Sequence, residues 1–82
     1  MANQTFEELR RQAESIRVQA PAEIIANPGI GINQYIAELA LRGYASESIR
    51  TAMWDLLAAE TIKVLHPGNL LEVNTPPENI AA

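Results

Sequence analysis

His66 is the only histidine of the 82-residue chain, and it is the first residue to weigh as a catalyst. It precedes Pro67 and Gly68, in a segment typical of an exposed turn. A general base needs a partner that orients it and a pocket for the substrate, and the pattern around His66 indicates neither. The chain has no cysteine, so a zinc site would lack sulfur ligands. We therefore expect no catalytic residue and no metal ligand.

Carboxylates and glycines also occur at spacings that could carry chemistry. Glu7 with Glu8, and Glu47 with Asp55, are pairs of acids, but solvated helix faces account for them better than a catalytic dyad does. The segment Gly29–Gly31 lacks the third glycine of a phosphate-binding loop. The sequence thus predicts a protein that is not an enzyme and takes no cofactor.

Residues suited to binding cluster in the segment that follows Ser46. Tryptophan is enriched among interface hot spots, so Trp54 would anchor a protein partner. The same residue could instead fold over the edge of the core, and both interpretations stay open. On a helical wheel Thr51 and Ala58 face outward with Trp54, and Arg50 lies on the flank; these three complete the predicted partner-binding set.

Nucleic acid is the alternative partner. The candidate contacts to it are Ser48, Arg50, Thr51, Lys63 and His66, with further phosphate contacts from Arg10, Arg11 and Arg17. Six Lys and Arg residues stand against ten Asp and Glu residues, a formal net charge of −4. Because DNA-binding surfaces need an excess of cations for the phosphates, this balance favours a protein partner.

The first element that must position these residues is an N-terminal helix. Thr5 and Glu8 have the spacing of a capping box, which predicts a helix over residues 5–19. Pro21 should end this helix or open a short helical turn over residues 22–26. The apolar stripe of the helix would pack in the core, and it could also form the seam of a homodimer: Phe6, Leu9, Ala13 and Ile16.

A second helix is predicted over residues 33–42, with a short extended piece before it. Asn33 is the expected N-cap, and Gly43 is placed to end the helix in a left-handed conformation. The expected inward stripe has Tyr35 at its edge and consists of Ile36, Leu39 and Ala40.

The third helix and a hairpin complete the predicted domain. Ser46 should cap a helix over residues 46–60, with Asp55 and Ala58 exposed. Its core stripe would be Ile49, Ala52, Met53, Leu56 and Leu57. Two β-prone segments around the turn His66–Asn69 predict a hairpin over residues 61–73, and residues 74–82 would form a flexible tail.

The order of these elements resembles that of the winged helix-turn-helix family between Ile32 and Val73. The segment Ile36–Ala40 with Gly43 resembles the helix before the turn, and Ser46–Leu57 resembles the helix that DNA-binding members place in the major groove. Ile62–Val64 and Leu70–Val73 resemble the wing. The resemblance implies a mainly α (α+β) fold, with three helices and a C-terminal β-hairpin wing, in one domain over residues 1–73.

The leading expectation is a regulatory or adaptor module that contacts another protein on a winged-helix scaffold. The alternatives are a small DNA-binding transcriptional regulator and a structural subunit of a larger assembly. No apolar run approaches the ~18 residues of a membrane span, and the first residues do not have the pattern of a signal peptide. We therefore expect a cytoplasmic protein with no membrane partner.

Overall fold

Three helices precede a two-stranded antiparallel hairpin in the computed structural model, which describes residues 5–74. The elements are α1 (Phe6–Ala26), α2 (Ile32–Leu41), α3 (Ser46–Ala58), β1 (Ile62–Leu65) and β2 (Leu70–Val73). This is the predicted mainly helical α+β fold, and its layout is consistent with a winged helix. The predicted tail lies outside the described residues from position 75 onward. Asn74 still belongs to the hairpin, because its backbone N–H donates to the Thr61 carbonyl at 2.9 Å.

Helix α1 begins as predicted but runs seven residues past its predicted end. The capping box is present, since the Glu8 amide donates to Thr5 Oγ1 at 3.1 Å and the Thr5 amide donates to Glu8 Oε1 at 3.4 Å. Pro21 lies inside the helix and neither ends nor interrupts it. The buried stripe continues beyond it through Ala20 and Ile24. Packing of this stripe therefore outweighs the one backbone hydrogen bond that proline cannot donate.

Helix α2 starts before the predicted cap, with Gly31 at its N-cap and Asn33 inside the first turn. The extended piece before it pairs with the hairpin. The amide of Leu71 donates to the Ile30 carbonyl at 2.8 Å, and the amide of Ile32 donates to the Asn69 carbonyl at 2.9 Å. The chain is thus held to β2 up to Gly31, and the helix begins at the next residue.

The buried face of α2 differs from the predicted face by one position. Tyr35 and Leu39 are buried, whereas Ile36 is half-buried and Ala40 is exposed. Tyr35 can enter the core because its hydroxyl donates a hydrogen bond to Glu23 Oε1 at 2.6 Å.

The end of α2 is the predicted left-handed glycine. Gly43 has φ 102°, and its amide donates to the Ala40 carbonyl at 3.0 Å. The amide of Tyr44 donates back to the Leu39 carbonyl at 3.3 Å, which completes a Schellman motif. This motif turns the chain directly into α3.

Helix α3 presents the predicted core stripe. Ile49, Ala52, Met53 and Leu56 are buried and Leu57 is half-buried, while Asp55 and Ala58 are exposed as expected. The N-cap is Ala45 and not Ser46, because the serine is already helical and makes no capping hydrogen bond. The helix ends at Ala58, two residues early, and Glu60 takes φ 62° at the entry to the hairpin.

The hairpin closes the core from one side. Its register pairs Ile62 with Val73 and Leu65 with Leu70, so β1 begins one residue after the predicted start at Thr61. Ile62 and Leu71 point into the core. Gly68 has φ 97° in the connecting turn, as its place after Pro67 suggested.

Candidate functional site

A polar cluster around Glu23 fixes α2 against α1. The carboxylate of Glu23 accepts the Tyr35 hydroxyl at Oε1 and Arg42 Nη1 at Oε2, the latter at 2.7 Å. Arg42 Nη2 also donates to Glu38 Oε1 at 3.3 Å. The cluster joins both ends of α2 to one residue of α1 and so sets the angle between the two helices.

The charges in this cluster depend on one another. Burial raises the pKa of Glu23, but the hydrogen bonds from Tyr35 and Arg42, with the Arg42 charge, outweigh it and leave the pKa below its usual value. Burial, and then the hydrogen bond to Glu23, raise the pKa of Tyr35. Glu23 is therefore an anion at neutral pH and Tyr35 a neutral donor.

A second set of polar contacts fixes α3 against α1. Ser48 Oγ donates to the Leu9 carbonyl at 3.0 Å, and Arg17 Nη1 pairs with Asp55 Oδ2 at 2.9 Å. The Ala45 amide donates to Gln12 Oε1 at 3.0 Å. These contacts hold α3 against α1 and leave the side of α3 that faces α2 open.

The open side forms a groove between α2 and α3, here called the Trp54 groove. Trp54 is 71% exposed, which settles the interpretation that the sequence left open: the indole does not fold over the core. The half-buried Ile32, Ile36 and Leu57 pack against the core and line the groove. The full lining is Ile32, Ile36, Ala40, Ser46, Ile49, Arg50, Met53, Trp54 and Leu57.

Arg50 is the one charged residue that lines the groove among the described residues, and no carboxylate of residues 5–74 lies within 4.0 Å of its guanidinium. Its helix neighbours Ser46 and Trp54 line the same groove. The groove therefore combines an apolar lining with one cation that lacks a described acidic partner.

The other two members of the predicted partner-binding set lie outside this groove. Thr51 is exposed and lines a second groove between α1 and α3, together with Phe6 and Leu9. Ala58 is exposed one turn after Trp54. The structure thus brings Trp54 and Arg50 together and places Thr51 on a different side of α3.

The predicted nucleic-acid contacts are dispersed. Ser48 is only 1% exposed and bonded to Leu9, so it cannot reach a base or a phosphate, and its prediction is wrong. Lys63 Nζ pairs across the hairpin with Glu72 Oε1 at 3.3 Å. His66 is exposed in the turn that follows β1, so it lies on a different element from Arg50 and Thr51.

The predicted dimer seam is largely used within the monomer. Ala13 and Ile16 are buried in the core, and Leu9 is half-buried against α3. Of the stripe only Phe6, at 79% exposure, remains fully accessible. A seam through all four residues would require α1 to leave the core.

The lining residues Ile32 and Ile36 were not predicted as part of any site. Ile36 was expected in the core, and Ile32 in an extended piece before the helix. The sequence of α2 has apolar residues on a second face as well, which indicated that one face would stay outside the core. Only the burial of Tyr35 shows that the face with Ile32 and Ile36 is the one that stays partly exposed.

Other kinds of site are not indicated within residues 5–74. No group of three or more His, Asp or Glu side chains in this part of the chain is arranged to hold a metal ion. None of its helices combines the length and apolar character needed to cross a membrane. No family model, curated protein or solved structure matches the chain.

Proposed function

We propose that this protein is a non-enzymatic regulatory or adaptor module that binds another protein through the Trp54 groove. The observation that carries the proposal is an exposed indole beside a strip of half-buried aliphatic side chains, Ile32, Ile36 and Leu57. A partner that covers this strip would remove apolar surface from water, at about 25 cal/mol per Å².

The indole has the character of an interface anchor. Tryptophan offers a large apolar surface that loses little side-chain entropy on binding, and hot spots are enriched in it. The contacts of Trp54 are not needed to close the core, because the buried face of α3 consists of other residues. A role in partner binding therefore accounts for its exposure.

The charges favour a protein partner over DNA. Arg10, Arg17, Arg42 and Lys63 each pair with a carboxylate within 4.0 Å. A phosphate would have to displace these acids, and the net charge of −4 repels a polyanion. For the DNA-binding alternative, Lys63 would first have to leave Glu72, whereas no carboxylate of residues 5–74 lies within 4.0 Å of Arg50, Arg11 or His66.

The test is affinity capture from the native source with the full chain, analysed with and without nuclease. Trp54→Ala should lose the bound protein, whereas Leu41→Ala should retain it. Leu41 is the matched control because it is 88% exposed on α2 and does not line the groove. Both variants should melt close to the wild type, since neither side chain is buried.

Capture that is equal for Trp54→Ala and the wild type would contradict the proposal. Capture that disappears with nuclease, and that depends on Arg50 and Lys63, would favour the DNA-binding alternative instead.

A further inference from the structure

We propose that the occupant of the Trp54 groove is an amphipathic helix of a partner protein, with a carboxylate beside its apolar face that pairs with Arg50. This inference rests on the proposed function, because it specifies the chemistry of the partner at the same site.

The helical form of the proposed partner is inferred from the backbone of the two helices that form the groove. Every lining residue belongs to α2 or α3, whose amides and carbonyls bond mainly within their own helices. An extended segment buried there would leave its own backbone groups without partners, which is costly. A helix satisfies its backbone internally and can lay one apolar face between α2 and α3, with anchors at i, i+3/i+4 and i+7.

The carboxylate of the proposed partner is inferred from the charge of the groove. Arg50 is the single charged residue in the described lining and has no acid of residues 5–74 within pairing distance. A partner that covers the aliphatic strip would partly remove this guanidinium from water, which costs free energy. A carboxylate opposite Arg50 would offset that cost through a bidentate pair of hydrogen bonds.

The same charge argues against a second copy of this chain as the occupant. Two grooves related by a twofold axis would present the same residues to each other, and the described lining offers cations without carboxylates. Such an interface would lack an acid for either Arg50. A groove-to-groove dimer would therefore not supply the acid, and the proposed occupant is a helix of different, acidic character.

The experiment is a selection of helical peptides from a phage-displayed library, with the full chain as the target. Enriched peptides should carry apolar residues at helical spacing and Asp or Glu next to them. Binding of the best peptide should fall about tenfold or more with Trp54→Ala, as expected for a hot spot. It should be unchanged with Leu41→Ala.

A charge exchange tests the role of Arg50 separately. Arg50→Glu should weaken the acidic peptide about tenfold, and replacement of the peptide acid by Lys should restore binding to that variant. Arg11→Glu is the matched control, because Arg11 is an exposed arginine on α1 outside the groove. It should leave both peptides unaffected.

The outcomes separate this inference from the proposed function. Selected peptides without helical spacing, or an acid preference that survives Arg50→Glu, would refute the inference, even where Trp54→Ala still abolishes capture of the native partner. A concentration-dependent dimer in light scattering that Trp54→Ala converts to monomer would identify a second copy as the occupant and refute it as well.

Discussion

Leu39 and Leu41 lie two positions apart on α2 with opposite environments, at 0% and 88% exposure. Leu39→Ala should destabilise the fold by about 2–5 kcal/mol, because it removes contacts and leaves a cavity. Leu41→Ala should change the free energy of unfolding by less than about 0.5 kcal/mol. Chemical denaturation of both variants measures this contrast, and similar losses would mean that the helix is rotated from the described orientation.

Glu23 makes stability depend on pH. Its pKa is lowered in the folded state, so the stabilisation from its carboxylate is fully present above the unfolded value of about 4.3. That stabilisation is lost as the pH falls through the lowered folded value. Glu23→Gln should be less stable than the wild type at neutral pH, and the difference should shrink in acid.

Denaturation of both proteins from neutral pH into acid measures this difference. Glu47→Gln removes the same charge from the exposed surface of α3 and controls for net charge. A stability difference that stays constant with pH would show that the Glu23 carboxylate contributes nothing through its charge.

Single residues also mark the limit of prediction from the sequence. The face of α2 was ambiguous because Tyr35 and Ile36 are adjacent and both apolar enough to be buried. The burial of Tyr35 in place of Ile36 depends on a hydrogen bond to Glu23, which lies on another helix and comes near Tyr35 only after folding. The exposure of Trp54 was undecided for the same reason, since it depends on how α2 packs.

At the scale of elements, two glycines in α2's flanking turns make a matched pair. Gly43 has φ 102°, and a Cβ added there would meet nothing within 4 Å, so the cost of Gly43→Ala comes from the backbone alone. We expect a loss of about 1–2 kcal/mol in the free energy of unfolding. Gly31 has an ordinary φ of −84°, and an added Cβ would lie 3.7 Å from the Asn69 carbonyl oxygen.

Gly31→Ala should therefore be tolerated within about 0.5 kcal/mol. Thermal melts of the two variants give the comparison. If Gly31→Ala is the more harmful, the pairing between the start of α2 and the hairpin is tighter than the described contacts indicate.

Element boundaries were predictable where a local signal fixed them. Thr5 with Glu8 marked the start of α1, and Gly43 marked the end of α2, because caps depend on neighbours in sequence. The end of α1 was not predictable from Pro21, because it depends on residues that are distant in sequence. The local effect of Pro21 is to end a helix, and only burial of Ala20 and Ile24 against other elements overrides it.

At the scale of the whole molecule, the net charge predicts weak binding to DNA. We expect no high-affinity binding to random duplex DNA at physiological ionic strength. For a protein that does contact phosphates, the slope of log K against log salt is about −0.9 for each contact. Titration of a labelled duplex at several salt concentrations measures this slope. Nanomolar affinity that Arg50→Ala and Lys63→Ala abolish would contradict the expectation and favour a DNA-binding regulator.

The fold class was predictable because the order of helices and strands follows from periodicity along the chain. The groove was not, because its two walls come from α2 and α3, and the angle between them is set by contacts to α1. Residues such as Glu23 and Arg17 fix that angle across 19 and 38 positions of sequence.

The backbone pairing of Leu71 with Ile30 has a consequence for synthesis of the chain. The ribosome releases α1, α2 and α3 before β2, yet the carbonyl of Ile30 and the amide of Ile32 find their described partners only in residues 69–71. Leu71 is itself a core side chain. The start of α2 is therefore held to the hairpin only once residue 71 has emerged, whereas Glu23 can bond to Tyr35 and Arg42 before that. Stalled chains that end before residue 69 should therefore be cut by protease more readily near residues 30–32 than chains that include β2.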